Sequence, residues 1–129
     1  MIIGLGTDIV SIERIAKVLE KNKVAFIDRI CTKDEKKYLQ SCRDITLKLA
    51  KIWAVKEAAV KALGTGFVQG ISFLDIELYH DELGKPEIKF FGKAKEILDK
   101  KVNNAEVNVL ASLSDDKPFA QAVVIIEKI

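Results

Sequence analysis

Trp53-Ala-Val-Lys-Glu-Ala-Ala-Val-Lys-Ala-Leu-Gly-Thr-Gly66 predicts one long, mostly apolar helix that ends at a glycine. A helix that is apolar on most of its sides is typically buried, so the rest of the chain should pack around it. Glu57 and Lys61 nevertheless lie four residues apart on one side of this helix. Carboxylates are seldom fully buried unless they are paired or bind a metal. An exposed pair within the helix would explain both residues, and so would a metal and phosphate site.

The chain before this helix predicts one strand and then several helical segments. Apolar periodicity indicates a strand at 2–10, a first helix from Ile12 that the polar residues 21–23 interrupt, and a short helical turn at 26–30. Thr32 and Glu35 have the spacing of a capping box, in which the hydroxyl and the carboxylate satisfy free amides. We therefore expect another helix to run from there to about Ser41.

The long helix begins near Asp44 or Thr46, which are both good N-caps, and ends at Leu63. Gly64 can adopt the left-handed conformation that ends a helix, and a flexible turn to Gly70 follows. The remaining predicted elements are strands at 74–79 and 87–91 joined by a hairpin loop at 81–86, a helix at 92–101, and strands at 106–114 and 119–127. Early helices and late paired strands predict one α+β domain over 1–129, with a mostly antiparallel sheet packed on the long central helix.

Composition restricts the class of protein. The 129 residues are 49% hydrophobic and carry a net charge of +2, which gives no general case for nucleic-acid binding. No apolar run approaches the ~20 residues that cross a bilayer. Cys31 and Cys42 lack CxxC spacing, and the lone His80 cannot complete a zinc site. Without a signal sequence at its start, the chain predicts a cytoplasmic protein with two reduced thiols.

Two acids and a lysine suggest chemistry. Asp8 lies in an apolar, β-rich run that disfavours aspartate, although capping the following helix would explain it. Asp8 and Glu57, without His or Cys partners, favour a hard cation such as Mg²⁺, which also takes waters and phosphate oxygens. Lys61 can neutralise a phosphate, and Gly64 and Gly66 allow close approach of a bulky ligand. The sequence has no P-loop pattern.

The first predicted helix has a basic face. Arg14, Lys17 and Lys21 have i, i+3, i+7 spacing, Val18 shares their stripe, and Arg29 lies nearby. A solvated charged surface is the ordinary explanation of such a stripe. The functional alternative is a docking face for an acidic amphipathic partner, with charge steering the encounter and the valine adding an apolar contact.

Two long motifs resemble the holo-[acyl-carrier-protein] synthase family of phosphopantetheinyl transferases. Ile3-Gly-Leu-Gly-Thr-Asp-Ile-Val10 followed by Ile12-Glu-Arg-Ile15 is similar to its N-terminal motif, and the stretch at 53–66 is similar to its second signature. Residues 26–32 with Glu35, the turn at 84–86 and residues 111–114 follow in family order. The resemblance implies transfer of 4′-phosphopantetheine from coenzyme A to a serine of acyl carrier protein in fatty acid biosynthesis, releasing adenosine 3′,5′-bisphosphate.

The resemblance also implies roles for residues. Asp8, Glu57 and Lys61 would be catalytic, the two acids holding Mg²⁺ against the coenzyme A pyrophosphate that Lys61 contacts. The implied coenzyme A-binding residues are Lys51, Lys61, Gly64, Thr65, Gly66, Ser112 and Ser114. Arg14, Lys17, Val18, Lys21 and Arg29 would face the acidic carrier protein. Family members of this short type are homotrimers with active sites between subunits. Glu57 and a metal-bound water both remain candidates for the general base.

Two positions depart from the family pattern. Asp115 follows Ser-Leu-Ser where the family usually has His, and Ile52 stands where many members have Arg. Both family residues are associated with the nucleotide end of coenzyme A, so Asp115 would repel the 3′-phosphate unless Lys48, Lys51 or Lys117 compensates. Two alternatives therefore stay open: a carrier-protein-binding homologue without catalysis, and a phosphate-binding subunit of a larger complex.

Overall fold

Helix α3 (Ile45–Leu63) forms the centre of the molecule, as its apolar sequence requires. The structure is a computed structural model and describes residues 1–68 and 70–129. The other elements are β1 (Ile2–Ser11), α1 (Ile12–Ile30), α2 (Lys33–Leu39), β2 (Ile76–His80), β3 (Pro86–Phe90), α4 (Gly92–Lys101), β4 (Val107–Asp116) and β5 (Phe119–Lys128). The predicted α+β class is confirmed.

The helix ends are set by local signals that the sequence predicts. The Asp44 side chain accepts a hydrogen bond from the Leu47 amide at 3.0 Å, and Gly64 ends α3 with a φ of 84°. At the start of α2, the Thr32 hydroxyl and the Glu35 carboxylate satisfy each other's backbone amides. The predicted N-cap, C-terminal glycine and capping box are therefore confirmed.

The larger sheet packs one face on α3 and leaves the other face open. Its strand order is β1-β5-β4, and all pairs are antiparallel. Because side chains alternate along a strand, each strand contributes to both faces. The buried inner face includes Val10, Ala120, Ala122, Val124 and Ile126. The outer face exposes Leu5, Ile9, Leu110 and Phe119, so it presents an apolar surface.

Helix α1 is broken where the sequence predicts an interruption. Asn22 has non-helical backbone angles, with φ −160° and ψ 70°, between two helical halves. Ser11 caps the first half by accepting a hydrogen bond from the Arg14 amide at 3.4 Å. The alternative explanation of Asp8 as the cap of this helix is therefore wrong, and its carboxylate is left for another role.

Two predicted boundaries are wrong. Helix α2 ends at Leu39 rather than near residue 41. Residues 73–75 form a 3₁₀ turn, so β2 begins at Ile76 rather than at residue 74. The cause is local, because the Ser72 hydroxyl and the Asp75 carboxylate accept hydrogen bonds from amides in this turn at 3.1 Å. Among the described residues, no helix is long and apolar enough to span a membrane.

Candidate active site

Strand β1 lies unusually close to α3 because two of its residues have no side chain. A Cβ atom at Gly6 would lie 1.8 Å from the Ala58 carbonyl oxygen, and one at Gly4 would lie 1.9 Å from that of Ala62. Real Cβ atoms essentially never approach other heavy atoms within 3.0 Å. The two glycines therefore allow backbone-to-backbone packing, which brings Asp8, two residues after Gly6, to the surface of α3.

Asp8 meets Lys61 across this contact. The Lys61 ammonium lies 3.1 Å from the Asp8 carboxylate and donates to the Thr7 carbonyl oxygen at 2.9 Å. The Asp8 side chain is 16% exposed, whereas that of Lys61 is 50% exposed. The acid is thus held in the floor of the site, and the ammonium stays accessible to a ligand.

Glu57 belongs to the same group of charges. Burial raises the pKa of Glu57 above its ordinary value, and the neighbouring Asp8 carboxylate raises it further. The cations Lys61 and Arg14 act in the opposite direction on the same pKa. The structure therefore brings together the three predicted catalytic residues, which come from one strand and one helix of the same chain.

The donor set fits a hard divalent cation. Two partly buried carboxylates repel each other, and a shared cation relieves this repulsion. Mg²⁺ typically uses one or two carboxylates. No group of three or more His, Cys, Asp or Glu side chains that could hold a metal occurs in 1–68 and 70–129. Asp8 and Glu57 thus suit a cation that takes its remaining ligands from water or from a substrate phosphate.

The glycine turn after α3 contributes space rather than free amides. The amides of Thr65 and Gly66 both donate to the Val60 carbonyl oxygen at 3.2 Å. The Gly64 amide donates to the Lys61 carbonyl oxygen at 2.9 Å. A Cβ atom at Gly66 would meet nothing within 4 Å. A ligand at the predicted Gly64–Gly66 site therefore has room beside the backbone, while its charge must be met by side chains.

Ser112 and Ser114 lie away from the acids within one chain. Asp8 pairs in register with Ala122 of β5, which in turn pairs with Leu113 of β4. The two serines flank Leu113, so they project from the opposite, outer face of the sheet. Within one protomer the structure does not bring these predicted coenzyme A residues to Asp8.

The two departures from the family pattern have clear structural outcomes. Asp115 forms an ion pair with Lys51 at 2.7 Å, and both side chains are partly buried. Lys51, one of the three lysines named as possible compensation, therefore offsets the charge of Asp115. Ile52 is 1% exposed and lines a cavity of about 200 Å³ with Lys48 and His80.

The basic face of α1 is present, but it does not include every predicted residue. Arg14, Lys17, Val18 and Lys21 line one shallow surface cavity of about 290 Å³. Arg29 lies beyond the break in α1, with its guanidinium 6.0 Å from the centre of the Phe73 ring. The first four residues thus form one surface, and Arg29 belongs to a separate part of the helix.

Two lysines near the site have contacts that sequence reasoning missed. Lys101, at the end of α4, donates to the Leu63 carbonyl oxygen at 3.0 Å and so satisfies the C-terminal end of α3. Lys56, directly before Glu57, is fully buried and pairs with Glu35. The position of Lys56 inside an otherwise apolar helix is a sequence signal that it has a buried partner. The sequence does not identify that partner, because Glu35 lies 21 residues away.

Comparison with known proteins identifies the class. Residues 4–122 match the model of the 4′-phosphopantetheinyl transferase superfamily. The chain therefore belongs to the 4′-phosphopantetheinyl transferase superfamily, and the resemblance of its two motifs is confirmed. The match covers the strand and the helix that carry Asp8, Glu57 and Lys61.

Within the superfamily, the chain is similar to holo-[acyl-carrier-protein] synthases. The chain is 42% identical over 129 residues to a holo-[acyl-carrier-protein] synthase of Vibrio cholerae, with 99% of each chain covered. Its structure is similar to that of the Neisseria meningitidis holo-[acyl-carrier-protein] synthase, with a TM-score of 0.87 and 40% identity over 99% and 100% of the two chains. The Helicobacter pylori synthase, solved in complex with coenzyme A, aligns with a TM-score of 0.80 and 34% identity over 95% and 99%.

Proposed function

We propose that this protein transfers 4′-phosphopantetheine from coenzyme A to a serine of apo-acyl carrier protein. One observation carries the proposal: Asp8, Glu57 and Lys61 converge beside an open glycine turn, in a chain of this superfamily. The relatives' name specifies the carrier protein as acceptor, and a relative's complex contains coenzyme A. A phosphoryl-transfer site needs little else than positioning and positive charge.

The chemistry is a displacement at phosphorus. The serine oxygen of the carrier forms a bond to the β-phosphorus of coenzyme A, and the bond from that phosphorus to the bridging oxygen breaks. Adenosine 3′,5′-bisphosphate leaves with the bond electrons, and the serine proton passes to a base. Asp8 and Glu57 would hold Mg²⁺, which when bound supplies positive charge beside the pyrophosphate.

Lys61 has the geometry to add a second positive charge. Its ammonium is anchored on the Thr7 carbonyl oxygen and on Asp8, so it need not reorganise when charge develops on the leaving group. Half of its side chain is exposed, which leaves a proton of the ammonium free to meet a phosphate oxygen. The backbone contact at Gly6 holds this arrangement from the other side.

The basic face of α1 is proposed to receive the carrier protein. Arg14, Lys17 and Lys21 lie on a helix that starts four residues after Asp8, so a partner bound there is close to the acids. The exposed Lys17–Glu13 pair, 3.6 Å apart, is open to exchange for a partner's carboxylate. Positive charge on this face would speed the encounter with an acidic partner.

The open sheet face supports assembly into a homotrimer with active sites between subunits. Leu5 and Ile9 are each 63% exposed, and Phe119 is 47% exposed beside them on β5. Contiguous apolar surface of this kind marks an interaction site. Ser112 and Ser114 share this face, so in an assembly they would serve a neighbour's site rather than their own.

The test is mass spectrometry of apo-acyl carrier protein incubated with the protein, coenzyme A and Mg²⁺. A mass gain of one phosphopantetheine group is expected, and Asp8→Asn or Glu57→Gln should slow its appearance about 100-fold or more. Glu96→Gln, at an exposed acid on α4, is the matched control and should transfer at the normal rate.

A chelator should stop transfer by the wild-type protein, and added Mg²⁺ should restore it. Normal turnover by Asp8→Asn in Mg²⁺ would contradict the assignment of the acids. Carrier-protein binding without any mass gain would instead favour the alternative, a carrier-binding homologue without catalysis.

A further inference from the structure

Lys56 is a fully buried lysine directly beside a proposed catalytic acid. Its side chain is 0% exposed, and it precedes Glu57 in α3. The ammonium donates to the Glu35 carboxylate at 2.6 Å, to the Ile30 carbonyl oxygen at 2.5 Å and to the Phe73 carbonyl oxygen at 3.0 Å. An ammonium has three protons, so all of them are used.

Glu35 extends this arrangement to further segments. Its side chain is 1% exposed, and the oxygen that meets Lys56 also accepts from the Thr32 amide at 2.8 Å. Its other oxygen accepts from the Leu78 amide at 2.8 Å. The pair therefore ties the end of α1, the start of α2, the 3₁₀ turn and β2 to a single point on α3.

A buried ion pair of this kind contributes geometry more than stability. Desolvation of two charges offsets much of their attraction, and apolar residues of similar volume often serve equally well for stability. What an apolar pair at these positions cannot do is hold two carbonyls and two amides at fixed distances. The pair thus indicates that the relative placement of these segments matters to the protein.

The segment that most needs an anchor is the second half of α1. The first half is anchored by Ser11 and by the Ile12 amide, which donates to the Pro118 carbonyl oxygen at 2.9 Å. The break at Asn22 interrupts the rigidity of the helix, so this anchor does not position the second half. The Ile30 carbonyl, one residue after Arg29, is held by Lys56 instead.

We propose that Lys56 and Glu35 are positioning residues for the transfer reaction. The pair sets the placement of the second half of α1, which carries Arg29, one of the residues predicted to face the carrier protein, relative to the helix that carries Glu57 and Lys61. This inference rests on the proposed function. Asp8 is positioned separately, by the glycine contact between β1 and α3, so the pair governs acceptance of the carrier protein and leaves coenzyme A binding alone.

The test uses Lys56→Met/Glu35→Gln, which removes both charges and keeps the side-chain shapes. Leu98→Ala, a buried residue of α4, is the control that loses stability away from the pair. We measure KM for the carrier protein, kcat, the dissociation constant of coenzyme A by calorimetry, and amide exchange at residues 26–31. KM for the carrier should rise about tenfold, while the coenzyme A constant changes less than about threefold.

Three results would overturn the inference. The first is a KM for the carrier protein that is the same in the double variant as in Leu98→Ala, when the two variants have the same free energy of unfolding. The second is a coenzyme A dissociation constant that rises as much as KM does. If the double variant does not fold, Glu35→Gln alone decides: it removes the carboxylate charge that holds the Lys56 ammonium in place, and an unchanged carrier KM is the third contradicting result.

Failure of the proposed function can be distinguished from failure of the inference about Lys56 and Glu35. If the wild-type protein transfers nothing, the proposed function has failed. Amide exchange then decides whether the pair positions α1. Faster exchange at residues 26–31 in the double variant than in Leu98→Ala supports the link, and equal exchange overturns it.

Discussion

Gly6→Ala is the substitution that should most directly disturb the geometry of the candidate active site while the protein still folds. The new Cβ atom would lie 1.8 Å from the Ala58 carbonyl oxygen and 2.7 Å from the Ala62 amide nitrogen. Ordinary contact begins at 3.4 Å, so β1 and α3 must move apart by about 1.6 Å. Backbone atoms of a buried helix cannot rotate away as a flexible side chain can, so the strand itself must shift.

The magnitude follows from this displacement. Overpacking of a core costs about 1–3 kcal/mol, and we expect the upper end because the clash is with backbone. A domain of this size has about 5–15 kcal/mol of stability, so the variant should still fold. The Asp8–Lys61 distance of 3.1 Å depends on the same contact, and a displacement of about 1 Å at a catalytic group can lower the rate about 100-fold.

The assay combines urea denaturation with the transfer rate per folded molecule. Gly84→Ala is the matched control, because a Cβ atom there meets nothing within 4 Å and only its φ of 84° is unfavourable. That control should lose about 1 kcal/mol and keep its transfer rate. If Gly6→Ala retained normal stability and rate, the close strand–helix contact would not be what positions the acid.

Three further predictions concern other groups. The single imidazole, His80, should titrate below its ordinary pKa of 6.5 by NMR, because burial and then the Lys48 charge disfavour its protonated form; Lys48→Met should move the pKa back upward. The stability contributed by the neutral His80 imidazole is therefore present above pH 6.5. It is lost as the pH falls through the lowered pKa of His80 in the folded state. Burial raises the pKa of Cys31 to about 12, so only the half-exposed Cys42 should react with a thiol reagent before unfolding. Lys101→Met should lose about 0.5–1 kcal/mol in denaturant unfolding, because a carbonyl at the end of α3 loses its cation.

Features that depend on neighbouring residues could be predicted from the sequence. The cap at Asp44, the box at Thr32 and the glycine after Leu63 each involve residues within four positions, and all three are confirmed. The 3₁₀ turn at Phe73–Asp75 was missed although its cause is equally local. There the apolar residues resembled a continuing strand, and the competing capping hydrogen bonds outweighed strand propensity.

Features that depend on distant residues could not be predicted from local patterns. Nothing near Lys56 in the sequence identifies Glu35 as its partner, since the carboxylate reaches it only after α1, α2 and α3 have packed. A lysine is rarely fully buried, so its position in an apolar helix suggested only that some partner must exist. The convergence of Asp8 with Glu57 is a prediction from their donor chemistry and from the family resemblance, not from spacing.

That convergence has a geometric origin which becomes clear once the packing is known. Two residues of a strand advance by about 6.8 Å, and four residues of a helix advance by about 6.0 Å, so the two repeats nearly match. Gly4 contacts Ala62, and Gly6 contacts Ala58, with the strand and the helix running in opposite directions. One further step of each repeat reaches Asp8 on the strand and Ala54 on the helix. Glu57 and Lys61 occupy the turns of α3 beside this row, which is why an acid two residues beyond a glycine pair arrives at their side chains.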